Sequence, residues 1–304
     1  MRHQIILLVS LGLMTGCSGG HAFMKARAAK ASTGKEDQIT QLKEQAAAHW
    51  ANRHDPEALK KAIATWEQVV AISDDVEVLT SLARANYFLS DAYLRFQGEG
   101  EGMLETYQKG LKAAEQALFF SSPAFRTKME ETDGNVGESI NVIGKESLPA
   151  AYWYATNLGK WARKKGFAVV LGQKSTIQAI MSRVEALDDP KNGFFHGAVP
   201  RYWGAFYSIA PAFAGGDMDK SAEYFKKSLE IAPFNMTTVV LRADLLYTKQ
   251  DDKANYEKSL KQVMAFNIES LKEVSEAVYA DLAPELAREK VKAKALLEES
   301  EDRF

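Results

Sequence analysis

Cys17 is the residue with the clearest chemical assignment. It is the only cysteine in the chain and closes the run Leu13-Met14-Thr15-Gly16-Cys17. Ahead of it lie a short basic start, Arg2 and His3, and an apolar stretch from Ile5 to Met14. That stretch is too short to be a permanent membrane span and fits the core of a signal peptide. Small residues before a cysteine suit a lipoprotein signal peptidase. Residues 1–16 are therefore expected to be removed, and the Cys17 thiol to carry a diacylglyceryl group at the mature N-terminus. Met14 stands where such sequences more often carry Leu. Several acyl chains, at about 0.8 kcal/mol per buried methylene, make a firm membrane anchor. Ser18, not Asp, follows the cysteine, which in a Gram-negative envelope points to the periplasmic side of the outer membrane. The alternative is an ordinary secretory signal with an incidental cysteine. A single cysteine leaves no intramolecular disulfide, so helix packing alone has to stabilise the folded part.

Other reactive constellations are missing from the sequence. His49 and His54 are five residues apart, so one helix face does not present both, and no metal site is expected. There is no phosphate loop, no Gly-x-Ser-x-Gly and no second cysteine nucleophile. Carboxylates such as Asp251-Asp252 and Glu298-Glu299 follow the pattern of solvated helix faces. His196 with Arg201 could bind an anion near a helix start. The plainer reading puts His196 in a loop and Arg201 on the surface. Together these features predict a binding or docking protein with no cofactor and no catalytic set.

Binding chemistry is better represented. In the segment from Ala151 to Ala162, 100° steps gather Ala151, Tyr154, Ala155, Leu158, Trp161 and Ala162 on one apolar arc. Trp153 falls on the other side with Asn157 and Lys160, an aromatic beside an amide and a cation, as in a pocket wall or a partner surface. In the second aromatic segment, Tyr202, Phe206 and Ile209 form one stripe, and Trp203, Tyr207 and Ala210 another. Gly204, Ser208 and Ala212 leave a groove for a neighbouring helix. A helix apolar nearly all round is either central or lines a cavity. Trp153, Asn157, Arg201, Trp203 and Tyr207 are the candidate ligand- or partner-binding residues.

The elements that carry these residues read as helices throughout. Pro and Gly are scarce and no alternating strand run stands out. The spacing predicts helix pairs over 39–53 with 56–72, 77–95 with 102–120, 148–164 with 174–187, 201–213 with 217–231 and 235–249 with 252–266. A long charged helix over 268–300 follows. Turn and cap residues mark the junctions at Asp55-Pro56, Ser73-Asp74-Asp75, Ser121-Ser122-Pro123, Asp188-Asp189-Pro190 and Gly215-Gly216-Asp217. Several second helices share one spacing: Ser221, Phe225, Ser228 and Pro233; Ala62, Trp66, Val69 and Asp74; Gly110, Ala114, Ala117 and Ser122; Ile177, Met181, Val184 and Asp189. A small residue allows close approach and a bulky one fills the next groove, as in the second half of a tetratricopeptide repeat. The expected fold is all-α, with tetratricopeptide-like helical-hairpin repeats forming a short α-solenoid. Its organisation is a signal peptide 1–16, a lipidated flexible tether 17–37, and a helical domain 38–304 interrupted by an irregular insertion, 121–147. With 38 basic against 40 acidic residues and no basic block, nucleic acid is not an expected partner.

The chain resembles the T-component proteins of TRAP (tripartite ATP-independent periplasmic) transporters. The resemblance rests on the start ending at Cys17, the degenerate repeats and three stretches: Leu148-Pro149-Ala150-Ala151-Tyr152-Trp153 through Trp161, His196-Gly197-Ala198-Val199-Pro200-Arg201-Tyr202-Trp203-Gly204, and Gly215-Gly216-Asp217 through Phe225 and Leu229. It implies an α-helical periplasmic lipoprotein that partners a solute-binding protein and offers a path to a small organic or apolar ligand, with no catalytic set. A homo-oligomer is compatible with it. The competing expectation is a tetratricopeptide-type scaffold for an envelope assembly that holds no small ligand.

Overall fold

Short polar side chains set most of the helix starts. Asp55, Asp75, Ser122, Asn135, Asp217, Asn235, Asp252 and Ser275 each accept a hydrogen bond from a backbone N–H in the first turn of the helix that follows. Each such cap contributes about 1 kcal/mol. Four of the five junctions read from the sequence hold a cap of this kind. The exception is Asp188-Asp189-Pro190, where Asp188 folds a turn by accepting from the N–H groups of Asp189 and Phe194.

The computed structural model describes residues 30, 33–98 and 100–304. The expected signal peptide, Cys17 and most of the tether lie outside the described residues. Among the described residues fifteen α-helices run in order: α1 (Glu36–Ala51), α2 (Pro56–Ile72), α3 (Val76–Ala92), α4 (Gly100–Ser121), α5 (Pro123–Glu131), α6 (Val136–Ser139), α7 (Leu148–Lys165), α8 (Phe167–Leu187), α9 (Ala198–Ile209), α10 (Met218–Ile231), α11 (Met236–Leu241), α12 (Lys253–Ala265), α13 (Leu271–Val274), α14 (Glu276–Glu298) and α15 (Ser300–Arg303). No strand occurs among the described residues. Helices α1 and α2, α3 and α4, α7 and α8, and α9 and α10 pair as hairpins. No helix among the described residues is long and apolar enough to cross a membrane.

Three expectations need correction. The helix expected over 201–213 stops at Ile209, because Ala210 takes the extended conformation that a following proline, Pro211, favours. The closing helix is not continuous: Ser275 is extended and restarts the chain by capping α14. The segment 121–147 is not an irregular loop. It carries α5, α6 and 3₁₀ turns, and it buries Phe125, Met129, Ile140 and Ile143. Its missing period reflects pieces too short to repeat a pattern.

The shared spacing of the second helices reports real packing. Ala62, Trp66, Val69, Ala114, Ala117, Ile177, Met181, Val184, Ser221, Phe225 and Ser228 are all buried. Close approach is clearest between α9 and α10. Ser221 Oγ donates to the Gly204 carbonyl at 2.7 Å and lies 2.6 Å from Ser208 Oγ. A β-carbon on Gly204 would stand 2.8 Å from the Phe225 ring.

Buried side chains form two main cores. The larger runs from Ala46 to Trp203, and the smaller gathers residues of α11, α12 and α14. Helix α14 returns to the beginning of the chain. Arg84 bridges Asp281 at 2.8 Å and Glu285 at 2.6 Å, Arg53 donates to the backbone carbonyls of Ala280 and Asp281, and Arg288 donates to the Ala92 carbonyl at 2.8 Å. One buried carboxyl works against the fold. Burial pushes Glu115 of α4 up to about 7, over a smaller downward pull from Lys112. A carboxyl raised in the folded state costs stability as pH climbs from its unfolded value to its folded one. Glu115→Gln is therefore expected to add about 3 kcal/mol at pH 8 and nothing near pH 4. Urea midpoints at the two pH values check this.

Candidate functional site

A cavity of about 190 Å³ lies at the seam between the two cores. By volume it could hold roughly a dozen water molecules or one ligand of comparable size. The larger core supplies an aromatic wall. Trp153 sits between Tyr87 and Phe195, with ring centroids 5.5 and 5.6 Å away, and Tyr152, Tyr202 and Phe206 extend the lining. The smaller core faces it with Leu241, Leu245 and Leu282. The first helices of two hairpins, α7 and α9, thus bring their aromatic side chains to one space.

A three-residue turn positions part of this wall. Phe195, His196 and Gly197 all have positive φ, at 45°, 54° and 74°. Left-handed non-glycine residues cost on the order of 1–3 kcal/mol each and persist only where neighbours impose them. Arg201 does so here. Its guanidinium donates to the His196 carbonyl at 3.1 Å and the Phe195 carbonyl at 3.5 Å. Asn235 donates to the same His196 carbonyl, and Ser228 Oγ to that of Gly197. Arg201 is only 5% exposed, so the expectation that it lies on the surface is wrong. Its donors serve these backbone oxygens and, at 3.4 Å, the Thr238 hydroxyl. His196 does not join it in an anion site; its Nε2 lies 3.0 Å from Asp281 Oδ2. Burial pushes the Asp281 carboxyl up, but the His196 hydrogen bond and the Arg84 charge outweigh this and hold it well below the usual carboxylate range.

Gly215-Gly216-Asp217 builds the opposite rim. Gly215 is left-handed, Asp217 caps α10, and a β-carbon on Gly216 would fall 1.8 Å from the Ala210 carbonyl oxygen. Only glycine permits the chain to double back there, and the tight loop puts Ala210, Pro211 and Ala214 at the cavity edge.

The five candidate residues separate. Trp153 and Arg201 line the cavity. Asn157 is fully buried between helices: its amide donates to Trp153 O at 2.9 Å and Ala83 O at 3.1 Å, and its own oxygen has no partner. That oxygen lies where a β-carbon on Gly110 would stand, 2.4 Å away, so the glycine makes room for it. Trp203 and Tyr207 face away from the cavity into a cluster with Tyr224, which stacks on Tyr207 with centroids 5.6 Å apart.

Sequence reasoning missed most of the charged lining. Lys160 pairs with Asp91 of α3. Burial pushes the Asp91 carboxyl up, but the charges of Lys160, Lys292 and Arg95 hold it well below the usual carboxylate range. Glu289, Lys292 and Arg288 come from α14. Lys160 stood out beside Trp153, but its partner lies on a helix far away in the chain. Among the described residues, no group of three or more His, Cys, Asp or Glu could hold a metal ion.

The protein is thus an all-α chain with an aromatic cavity between two cores. The chain belongs to the TRAP transporter T-component family, whose match spans residues 102–304 and so includes most of the cavity lining, though not Tyr87 or Asp91. No curated protein matches the chain.

Proposed function

We propose that this protein is the periplasm-facing lipoprotein component of a TRAP-type transport system, a non-catalytic partner that docks a solute-binding protein and binds or relays a small organic or apolar ligand. The observation that carries this reading is the aromatic cavity, which family membership puts in the context of transport. The succession of helical hairpins is read as a short tetratricopeptide-like solenoid. Anchoring through Cys17 would hold it on the periplasmic side of the outer membrane, with the cavity rim free to meet a partner.

Exposed apolar side chains stand near that rim, beside the exposed Arg163. Phe213 is 78% and Phe167 55% exposed, with ring centroids 6.3 Å apart. Phe96 and Leu171 stand exposed at the cavity edge. Neighbouring exposed aromatics of this kind suit a protein interface. The test is capture of partners from periplasmic extract by the tagged, non-acylated protein. A solute-binding protein is expected in stoichiometric amount, and Phe167→Ser with Phe213→Ser is expected to lower its recovery at least about tenfold with the melting temperature unchanged. Envelope-assembly proteins in its place would replace this reading with the scaffold.

A further inference from the structure

A second, more open recess of about 490 Å³ lies beside the aromatic cavity and shares Arg163 with it. Cations from four separate segments line it. Arg95 comes from the turn after α3, Arg163 from the end of α7, Lys249 from the stretch ahead of α12 and Arg303 from α15. Among the described residues, Asp244 is the only carboxylate in that lining. The whole chain carries a net charge of −2, so this positive surplus is local. Asp244 is supplied by a π-helix, Arg242–Tyr247, a form of turn that is frequent at functional sites.

The carboxylates around the recess account for two of its four cations. Asp244 pairs with Arg303 at 2.9 Å and with Arg95 at 3.8 Å. Arg303 also holds Glu299, at 2.8 Å. Burial works against the Arg95 charge, but Asp91, Asp244 and Glu289 outweigh it. Burial pushes the Asp244 carboxyl up, yet the charges of Lys292, Arg95 and Arg303 hold it below its ordinary value. It is therefore ionised at neutral pH and already engaged. Arg163 and Lys249 differ. Both are exposed, and neither makes a salt bridge or a hydrogen bond among the described residues. On a convex surface water would serve them. Here they line one concave space, whose low-dielectric walls focus the field and concentrate anions.

We infer that the recess binds a phosphoryl group, of a free phosphate monoester or of a lipid headgroup, on Arg163 and Lys249. The charge count sets the class. Two cations without a partner match a dianion, whereas a carboxylate would satisfy only one. The guanidinium presents parallel N–H donors that fit two oxygens of a phosphoryl group, and the ammonium adds a point charge on a flexible stem. The site is separate from the aromatic cavity and does not depend on the docking of a solute-binding protein.

The test titrates the full mature chain at pH 8 and low ionic strength, where a phosphate monoester, with a second pKa of about 6, carries two charges. The probes are glycerol phosphate and acetate, followed by calorimetry, and vesicles of phosphatidylcholine with or without phosphatidic acid, followed by co-sedimentation. Glycerol phosphate is expected to bind at least about tenfold more tightly than acetate, the effect of one further charge-assisted hydrogen bond. Arg163→Gln with Lys249→Gln should lower its affinity at least about tenfold and leave the ligand-free melting temperature unchanged, since both side chains are exposed and unpaired. Lys226→Gln, on the exposed face of α10 outside the recess, should change nothing. Binding that survives the double substitution, or falls as much with Lys226→Gln, overturns the site. Acetate binding as tightly as glycerol phosphate overturns the dianion assignment. Vesicle binding that needs both phosphatidic acid and the two cations, with no binding of glycerol phosphate, makes the source a lipid headgroup. Binding of glycerol phosphate without the vesicles makes it a soluble ligand. If neither binds, the inference falls. None of these outcomes touches partner capture, so the transport reading stands or falls separately.

Discussion

Arg201→Met is expected to remove about 4 kcal/mol of stability and to open the cavity wall. The side chain is buried, and its hydrogen bonds go to carbonyls of consecutive left-handed residues and to the Thr238 hydroxyl. Methionine keeps much of the volume, so the loss is mainly polar. The Phe195 carbonyl loses its guanidinium donor, while that of His196 keeps Asn235. Hydrogen bonds to charged groups contribute about 1.5–3 kcal/mol each. Without the clamp the turn can release its strain, and Phe195 leaves Trp153. Urea denaturation followed by tryptophan fluorescence reads both effects: a lower midpoint, and an altered native-state emission from Trp153. A midpoint within about 0.5 kcal/mol of the parent would show that the turn holds itself.

Lys160→Met is expected to cost about 3 kcal/mol at neutral pH, because it strands Asp91 among buried groups. The pH dependence follows from the direction of the Asp91 shift. A carboxyl held below its unfolded value of about 3.9 contributes stability that is complete above that value and is lost as pH falls through the folded one. In the variant the nearest cation is gone and burial pushes the carboxyl up. The deficit should therefore be largest near pH 7, shrink towards about pH 4 as Asp91 becomes protonated in the folded variant and the unfolded chain, and close only below the folded parent's own, lower value. Urea midpoints of parent and variant at pH 7 and pH 3.5 check the sign. A deficit that is the same at both would mean that Lys160 contributes through packing.

Local features were readable from the sequence because local physics produces them. Asp217 caps α10 as its place after Gly215-Gly216 suggested, and Ser221, Phe225 and Ser228 are buried at the expected spacing. Trp153 and Arg201, which line the cavity, stand out in the sequence as an aromatic and a cation on otherwise apolar helices. Trp203 and Tyr207 illustrate the limit. Helix α9 is apolar on two stripes, and a 100° projection does not say which one meets α10 and which one meets the cavity. Lys292 was out of reach for another reason. On its own helix it looks like one more charged residue in a solvated segment. It becomes a buried cation only when α14 packs across α3 and α7, which lie more than a hundred residues earlier.

The return of α14 also orders events in time. Arg53 reaches the Ala280 carbonyl across 227 residues, and Arg288 reaches Ala92 across 196. Contacts of such separation form late, after the local hairpins have closed. Until then Arg84 lacks its carboxylate partners, Arg53 keeps only the nearby Trp50 carbonyl, and the cavity lacks its third side. The first hairpins to leave a ribosome or a translocation channel are thus the last to be completed. The cavity comes into being only with the final step of folding, so a chain cut short near its end would be left with an open aromatic trough in its place.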